Sequence, residues 1–152
     1  MKTSKRILYS VLPVVLVAVL GSVFVNIGLD WFNDLIKPND WISNWIIPIV
    51  WTVIYTITAV GFYRILGREK LEKETMILFI INGILNVLWC LIFFTLEQKL
   101  LGLVVIIINL IASILLLINL NKNYKIFYYW LLVYPTWLSI ATTLNLAVWI
   151  LN

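Results

Sequence analysis

Charges cut this chain into five uncharged runs, Ile7 to Leu29, Trp41 to Tyr63, Thr75 to Leu96, Leu100 to Asn121 and Ile126 to Asn152. At about 1.5 Å of rise per residue, each is long enough as an α-helix to cross about 30 Å of hydrocarbon. Hydrocarbon offers no water to a free amide or carbonyl, so a spanning segment must be a helix or one strand of a closed barrel. Barrel strands would be about ten residues of alternating polarity, whereas these runs are continuously apolar. The sequence therefore predicts an all-α integral membrane protein, a five-transmembrane-helix bundle. Helices are expected at about residues 7–29, 41–66, 75–96, 100–121 and 126–150 of a single transmembrane domain covering residues 1–152.

Composition narrows the chemistry. Hydrophobic residues make up 63% of the chain and charged residues 12%, with a mean hydropathy of +1.04, far from a soluble domain of this size. Histidine is absent and Cys90 is the single cysteine. That removes a zinc set, a histidine ligand for haem iron, an intrachain disulfide and a serine-histidine-carboxylate triad. No metal site and no required cofactor are expected.

The net charge of +4 does not suggest a nucleic-acid partner, because the basic residues lie between the apolar runs rather than on one soluble face. Lys2, Lys5, Arg6, Arg64, Arg68, Lys70, Lys73, Lys122 and Lys125 fall on one side of the membrane, Lys37 and Lys99 on the other. The positive-inside rule then predicts a cytoplasmic N-terminus and an external C-terminus, and the expected location is a bacterial cytoplasmic membrane. The first run reads as a full span rather than a cleaved leader.

Inside the runs, aromatic and amide residues fall on stripes. In the second, Pro48 sits in the first turns, Trp45 at the water boundary, and Trp51 and Tyr55 stack one turn apart. In the third, Asn82, Asn86, Trp89 and Phe93 share a face. In the fifth, Tyr134, Trp137, Ala141 and Asn145 do, with Trp149 a turn beyond. An unpaired amide in hydrocarbon costs a few kcal/mol, roughly, so these stripes must face the bundle interior. They read either as hydrogen-bonding glue between helices or as the wall of an aromatic cavity for a large, flat, mostly apolar ligand. Asn109 with Ser113 reads as a packing seam, and Ser22 with Asn26 could close one side of such a cavity. Val60, Tyr63 and Arg68 fit a loose sterol pattern that carries little weight.

The first connection, Asp30 to Asp40, pairs Trp31 with Leu35 and Phe32 with Ile36 at i, i+4 and then meets Pro38. A short amphipathic helix ending before the proline is expected, either a lid over the bundle mouth or a headgroup anchor.

These residues carry a resemblance to the TspO/MBR family, the tryptophan-rich sensory proteins related to the peripheral benzodiazepine receptor. It runs through Trp31, Leu35 and Pro38; Asn44-Trp45, Pro48, Trp51-Thr52 and Tyr55; Leu85, Asn86, Trp89, Phe93 and Phe94; and Trp137, Ser139, Ala141, Leu144 and Asn145. The chain departs from the family pattern at Ile42-Ser43, where a Pro-Pro pair is usual, at Val105, where many members are acidic, and at Pro135, which follows Tyr134 rather than preceding it. Asn82 stands where many members have glutamine, and Leu146 replaces a tyrosine of the sterol segment of animal members.

The resemblance implies a homodimer with an intramembrane pocket open toward the first connection. That pocket would bind porphyrins such as protoporphyrin IX, sterol-like molecules and other flat hydrophobic ligands, with Trp31, Trp51, Tyr55, Asn86, Trp89, Phe93, Trp137, Ala141 and Asn145 as ligand-binding residues. The function expected is a membrane receptor or sensor with porphyrin as ligand. The alternatives are a light- and oxygen-dependent protoporphyrin-degrading enzyme, with Trp51 and Trp137 as its reactive pair, and a porphyrin or sterol/lipid transporter. Besides membrane lipid, the dimer partner would use Gly21 and Ser22 or the outer face of the third helix.

Overall fold

In the computed structural model, which describes residues 2–38, 43–68 and 71–152, five spans form a ring. The elements are α1 (Thr3–Ile27), α2 (Leu29–Asp34), α3 (Ile46–Arg68), α4 (Lys73–Cys90) continued by a π-helical turn (Leu91–Thr95), α5 (Lys99–Asn123), α6 (Lys125–Leu131) and α7 (Val133–Leu151). Among the described residues these give five segments long and apolar enough to cross a membrane, α6 and α7 together making the last. Helix α1 packs between α3 and α4, α4 on α5, α5 on α7, and α6 with α7 closes back on α3. The protein is an integral membrane helix bundle.

The second span starts later than residue 41. Its helix begins at Ile46, Ser43 to Trp45 form a turn, and Trp41 and Ile42 lie outside the described residues. Pro48 falls in the first turn of α3, where its missing N–H is tolerated, and Trp45 is 66% exposed at the helix entry. The last span is broken at Leu132, between α6 and α7. Pro135 explains it: it lacks the N–H that would close on the carbonyl of Leu131, and its ring crowds that carbonyl.

At the end of α4 the chain widens into the π turn, with the Leu96 amide bonded to the Leu91 carbonyl at 2.9 Å. The turn stops at Glu97, a non-glycine residue at φ 57°, and the Gln98 amide returns to the Ile92 carbonyl at 3.0 Å. Reaching one residue further back than the six-to-one bond of an α-helical stop, it is the π-turn counterpart of that left-handed closure, and it lets α5 begin at once beside α4. Between helices there is little hydrophobic driving force in lipid, so association rests on close packing and hydrogen bonds. Gly61 shows the packing term: a Cβ there would lie 2.3 Å from the Phe127 ring, which holds α6 against α3.

Several outward-facing positions correct expectations. Ser22 and Asn26 are exposed and close no cavity, because the face of α1 turned to the bundle is that of Ser10, Val14 and Gly21. Gly21 is buried, with the Cys90 sulfur 3.4 Å from where a Cβ would stand, so its bare backbone sits in contact inside the protomer. Trp149 is 43% exposed while Val148 is fully buried, so the inward stripe of α7 ends at Val148 rather than Trp149.

Candidate ligand site

The inward stripes of α4 and α7 meet around a cyclic hydrogen-bond network. The Asn86 amide donates to the Tyr134 hydroxyl at 2.7 Å, and the Asn109 amide donates to the Asn86 carbonyl oxygen at 3.0 Å. The Tyr134 hydroxyl has one hydrogen, shared between the side-chain oxygens of Asn109 and Asn82, each 3.2 Å away. Asn82 is tied off by its own amide, which donates to the carbonyls of Leu78 at 2.8 Å and Ala112 at 3.2 Å. All four side chains are buried. Three helices are thereby joined with nearly every polar atom paired, the condition under which amides become tolerable in hydrocarbon. Asn109 is thus the α5 member of this network rather than a packing-seam residue.

Above this network, toward α2, lies the aromatic chamber. Trp51, Trp89, Phe93, Trp137, Ala141 and Asn145 all border it, with Phe32, Ile47, Phe94, Ile140 and Leu144, around a residual volume of only about 30 Å³. Its own rings fill it. Trp89 stacks on Phe93 with centroids 5.9 Å apart and meets Phe94 edge-on at 5.6 Å. Trp89 donates its indole N–H to the Asn145 oxygen at 3.1 Å, and Asn145 in turn donates to the Ala141 carbonyl at 2.9 Å. Trp137 differs: its indole nitrogen is buried and has no hydrogen-bond partner.

Helix α2 roofs the chamber. Trp31 meets Phe93 edge-on at 5.5 Å, and Phe32, buried, packs on Phe94 at 5.1 Å. Of the two alternatives for the first connection, the structure takes the lid. The second i, i+4 pair does not form: α2 stops at Asp34, Leu35 is extended, and Ile36 turns out to 61% exposure. Gly28 makes the roof possible, since a Cβ there would fall 1.9 Å from the Phe94 carbonyl oxygen.

Lys37 closes the C-terminal end of α2 by donating to the carbonyls of Phe32 and Asn33, with its ammonium 4.5 Å above the Phe32 ring. Partial burial pushes that ammonium below the ordinary lysine value, with the nearby Asp34 carboxylate opposing the shift. Beyond α2, Ile36 and Asn152 exchange two hydrogen bonds: the Ile36 amide donates to the Asn152 side-chain oxygen at 2.9 Å, and the Asn152 amide donates to the Ile36 carbonyl at 3.0 Å.

Tyr55 and Asn86 do not border the aromatic chamber. They line a second, larger cavity of about 720 Å³ between α1, α3 and α4. Trp51, stacked on Tyr55 at 5.6 Å and edge-on to Tyr134 at 6.4 Å, stands with the amide network as the partition between the two spaces. Phe32, Phe94 and Asn109 complete the arrangement without having been singled out as ligand residues. The adjacent Phe93-Phe94 pair was a usable signal for one of them; nothing local distinguishes Asn109 from a helix-packing amide.

A model of the TspO/MBR family matches residues 10–150. A tryptophan-rich protein TspO of Chlorobaculum tepidum is 30% identical over 136 residues, 87% of this chain and 86% of its own. Another, from Archaeoglobus fulgidus, is 30% identical over 152 residues, 97% of each chain. The protein CrtK of Rhodobacter capsulatus is 27% identical over 130 residues, 80% of this chain and 78% of its own.

Proposed function

The chain belongs to the TspO/MBR family, and we propose that it is a membrane receptor or sensor that binds a porphyrin in the aromatic chamber beneath α2. The observation that carries this reading is the Trp137 indole N–H, buried and without an acceptor at the edge of a space walled by Trp51, Trp89 and Phe93. A buried donor left unpaired costs about 1–3 kcal/mol, and a ligand that brings an acceptor between these rings recovers it. A flat tetrapyrrole with carboxylate edges has both the faces for stacking and the acceptors. With no histidine in the chain, a metal-free porphyrin fits better than one that needs an axial nitrogen.

The residual 30 Å³ means that binding requires α2 to lift and the Trp89, Phe93 and Phe94 stack to part. Trp51 and Trp137 then flank the ligand, and Ala141, the small residue among them, leaves room for its edge. Titration of the purified protein with protoporphyrin IX in the dark, followed by tryptophan fluorescence, should give saturable quenching. Trp51→Phe with Trp137→Phe should weaken it at least tenfold, and unchanged quenching would remove the chamber from the proposal.

A second reading has its own support, because Trp51 and Trp137 border the same chamber. A porphyrin held between two oxidisable indoles is itself a photosensitiser, so light and dioxygen would supply the chemistry, with the protein contributing placement. Illumination of the saturated complex separates the two: a light-stable Soret band supports a receptor, and its tryptophan-dependent conversion to a new absorbing product supports an enzyme.

A further inference from the structure

The 720 Å³ cavity is a space the aromatic chamber does not account for. Along α3 it runs from Ile54 to Leu66, twelve residues and so about 18 Å of helix, close to the roughly 15 Å depth of one leaflet's hydrocarbon. Its rim includes Leu16 of α1 and Ile80 of α4, which are 59% and 52% exposed on the outer surface of the bundle. The opening between α1 and α4 therefore faces acyl chains rather than water.

At its deep end the hydrogen-bonding side chains are already committed to protein partners, the Tyr55 hydroxyl apart. Asn82, Asn86 and Tyr134 are committed to the network, and the Thr58 hydroxyl donates to the Ile54 carbonyl at 2.8 Å. An apolar end of a ligand belongs there.

The other end is basic. Arg6 stands one turn before Tyr9 on the face of α1 that continues through Pro13 and Val17 along the cavity wall. Its guanidinium lies 3.7 Å from the centre of the Tyr63 ring, above the bare backbone of Gly67, and its buried Nε has no hydrogen-bond partner. Lys2, Lys5, Arg64 and Lys73 belong to helix ends on the same side of the bundle, as do Glu72 and Glu74.

We propose that this cavity binds an anionic phospholipid from the leaflet on the N-terminal side, with one acyl chain along α1, α3 and α4 and its phosphate on Arg6. A cation at the headgroup level and a chain-length apolar slot opening sideways are the two recognition elements such a lipid needs.

The test is native mass spectrometry of the delipidated full chain titrated with phosphatidylglycerol and with phosphatidylcholine of identical acyl chains. The wild type should bind one phosphatidylglycerol molecule with about fivefold preference or more, the factor expected of one basic residue at a membrane surface. Arg6→Gln should bring the two lipids to parity. Leu16→Trp, a change on the exposed rim that leaves the core intact, should remove the tight adduct of both. Trp137→Phe, at a residue that borders only the aromatic chamber, should leave the lipid adduct in place, so the fate of the porphyrin site does not decide this one. Equal binding of the two lipids by the wild type, or an unchanged preference in Arg6→Gln, would overturn the headgroup assignment. A full-strength adduct in Leu16→Trp would overturn the cavity as its seat.

Discussion

The two halves of the bundle are built from the same helices and filled in opposite ways. Helices α3 and α4 border both cavities, yet about 30 Å³ is left beneath α2 and about 720 Å³ toward the N-terminal end. The lid half spends its tryptophans and the Phe93-Phe94 pair on packing against one another, and α2 adds Trp31 and Phe32. In the other half α1 contributes Pro13, Val14 and Val17, and α4 contributes Gly83, side chains too small to close the space. Between the halves lies the amide network with Trp51. The contrast teaches that a closed aromatic site must move to admit a ligand, whereas the apolar slot is already formed; a rigid polar partition allows the two to behave independently.

The harshest way to break that comparison is to remove the partition. Asn109→Ala deletes the donor to Asn86 and one acceptor of Tyr134, and it leaves a small void at a fully buried position. Interhelical hydrogen bonds in membranes average well under 2 kcal/mol, but here a buried acceptor is orphaned as well. A loss of about 2–3 kcal/mol is expected in reversible unfolding in mixed micelles, with porphyrin quenching and lipid retention both weakened. Loss of only one of the two would mean the halves do not share this wall.

Gly28→Ala should be milder and one-sided. The added methyl group meets the Phe94 carbonyl, a backbone atom that cannot swing aside, so α2 must shift off the π turn at a cost of about 1–3 kcal/mol. Porphyrin binding in the dark should change severalfold, by fluorescence titration, while lipid retention at the far end should not. An effect on both sites would make the lid part of a single cooperative core.

Most of this architecture was legible before any coordinates, because the membrane imposes it. Runs such as Leu100 to Asn121 have one solution in hydrocarbon, and the inward direction of Asn86, Trp89 and Asn145 follows from the cost of turning an amide to lipid. What stayed hidden depends on partners distant in sequence. The break at Leu132 was available in Pro135 but was overridden by the continuous apolarity of the run. The assignment of Tyr55 and Asn86 to a separate cavity could not be read, since periodicity gives a face and not a depth relative to three other helices. Asn109 looked like glue, and its role in a ring with Asn86 and Tyr134 exists only once α4, α5 and α7 are side by side. The outward turn of Ile36 follows from a helix that ends at Asp34, two residues short of completing the Phe32 to Ile36 pair.

The smallest expected effect tests how the lid is held. Asn152 pairs both ways with the Ile36 backbone, its amide also donates to the Val148 carbonyl at 2.9 Å, and its own backbone oxygen accepts from Lys99 at 3.1 Å. The two bonds to Ile36 are solvent-exposed and the one to Val148 only partly buried, so Asn152→Ala should cost under about 1 kcal/mol and leave the unfolding of the bundle almost unchanged. Local opening, however, responds to that same amount exponentially: about 1 kcal/mol is roughly a fivefold change in the open population. Hydrogen exchange at the Ile36 amide should therefore accelerate about fivefold, and dark association of protoporphyrin IX should quicken by a similar factor while the lipid adduct is untouched. Faster exchange with unchanged porphyrin association would separate the Ile36 strap from the lid proper and leave the contacts of Trp31 and Phe32 with the Phe93-Phe94 pair as what holds the chamber shut.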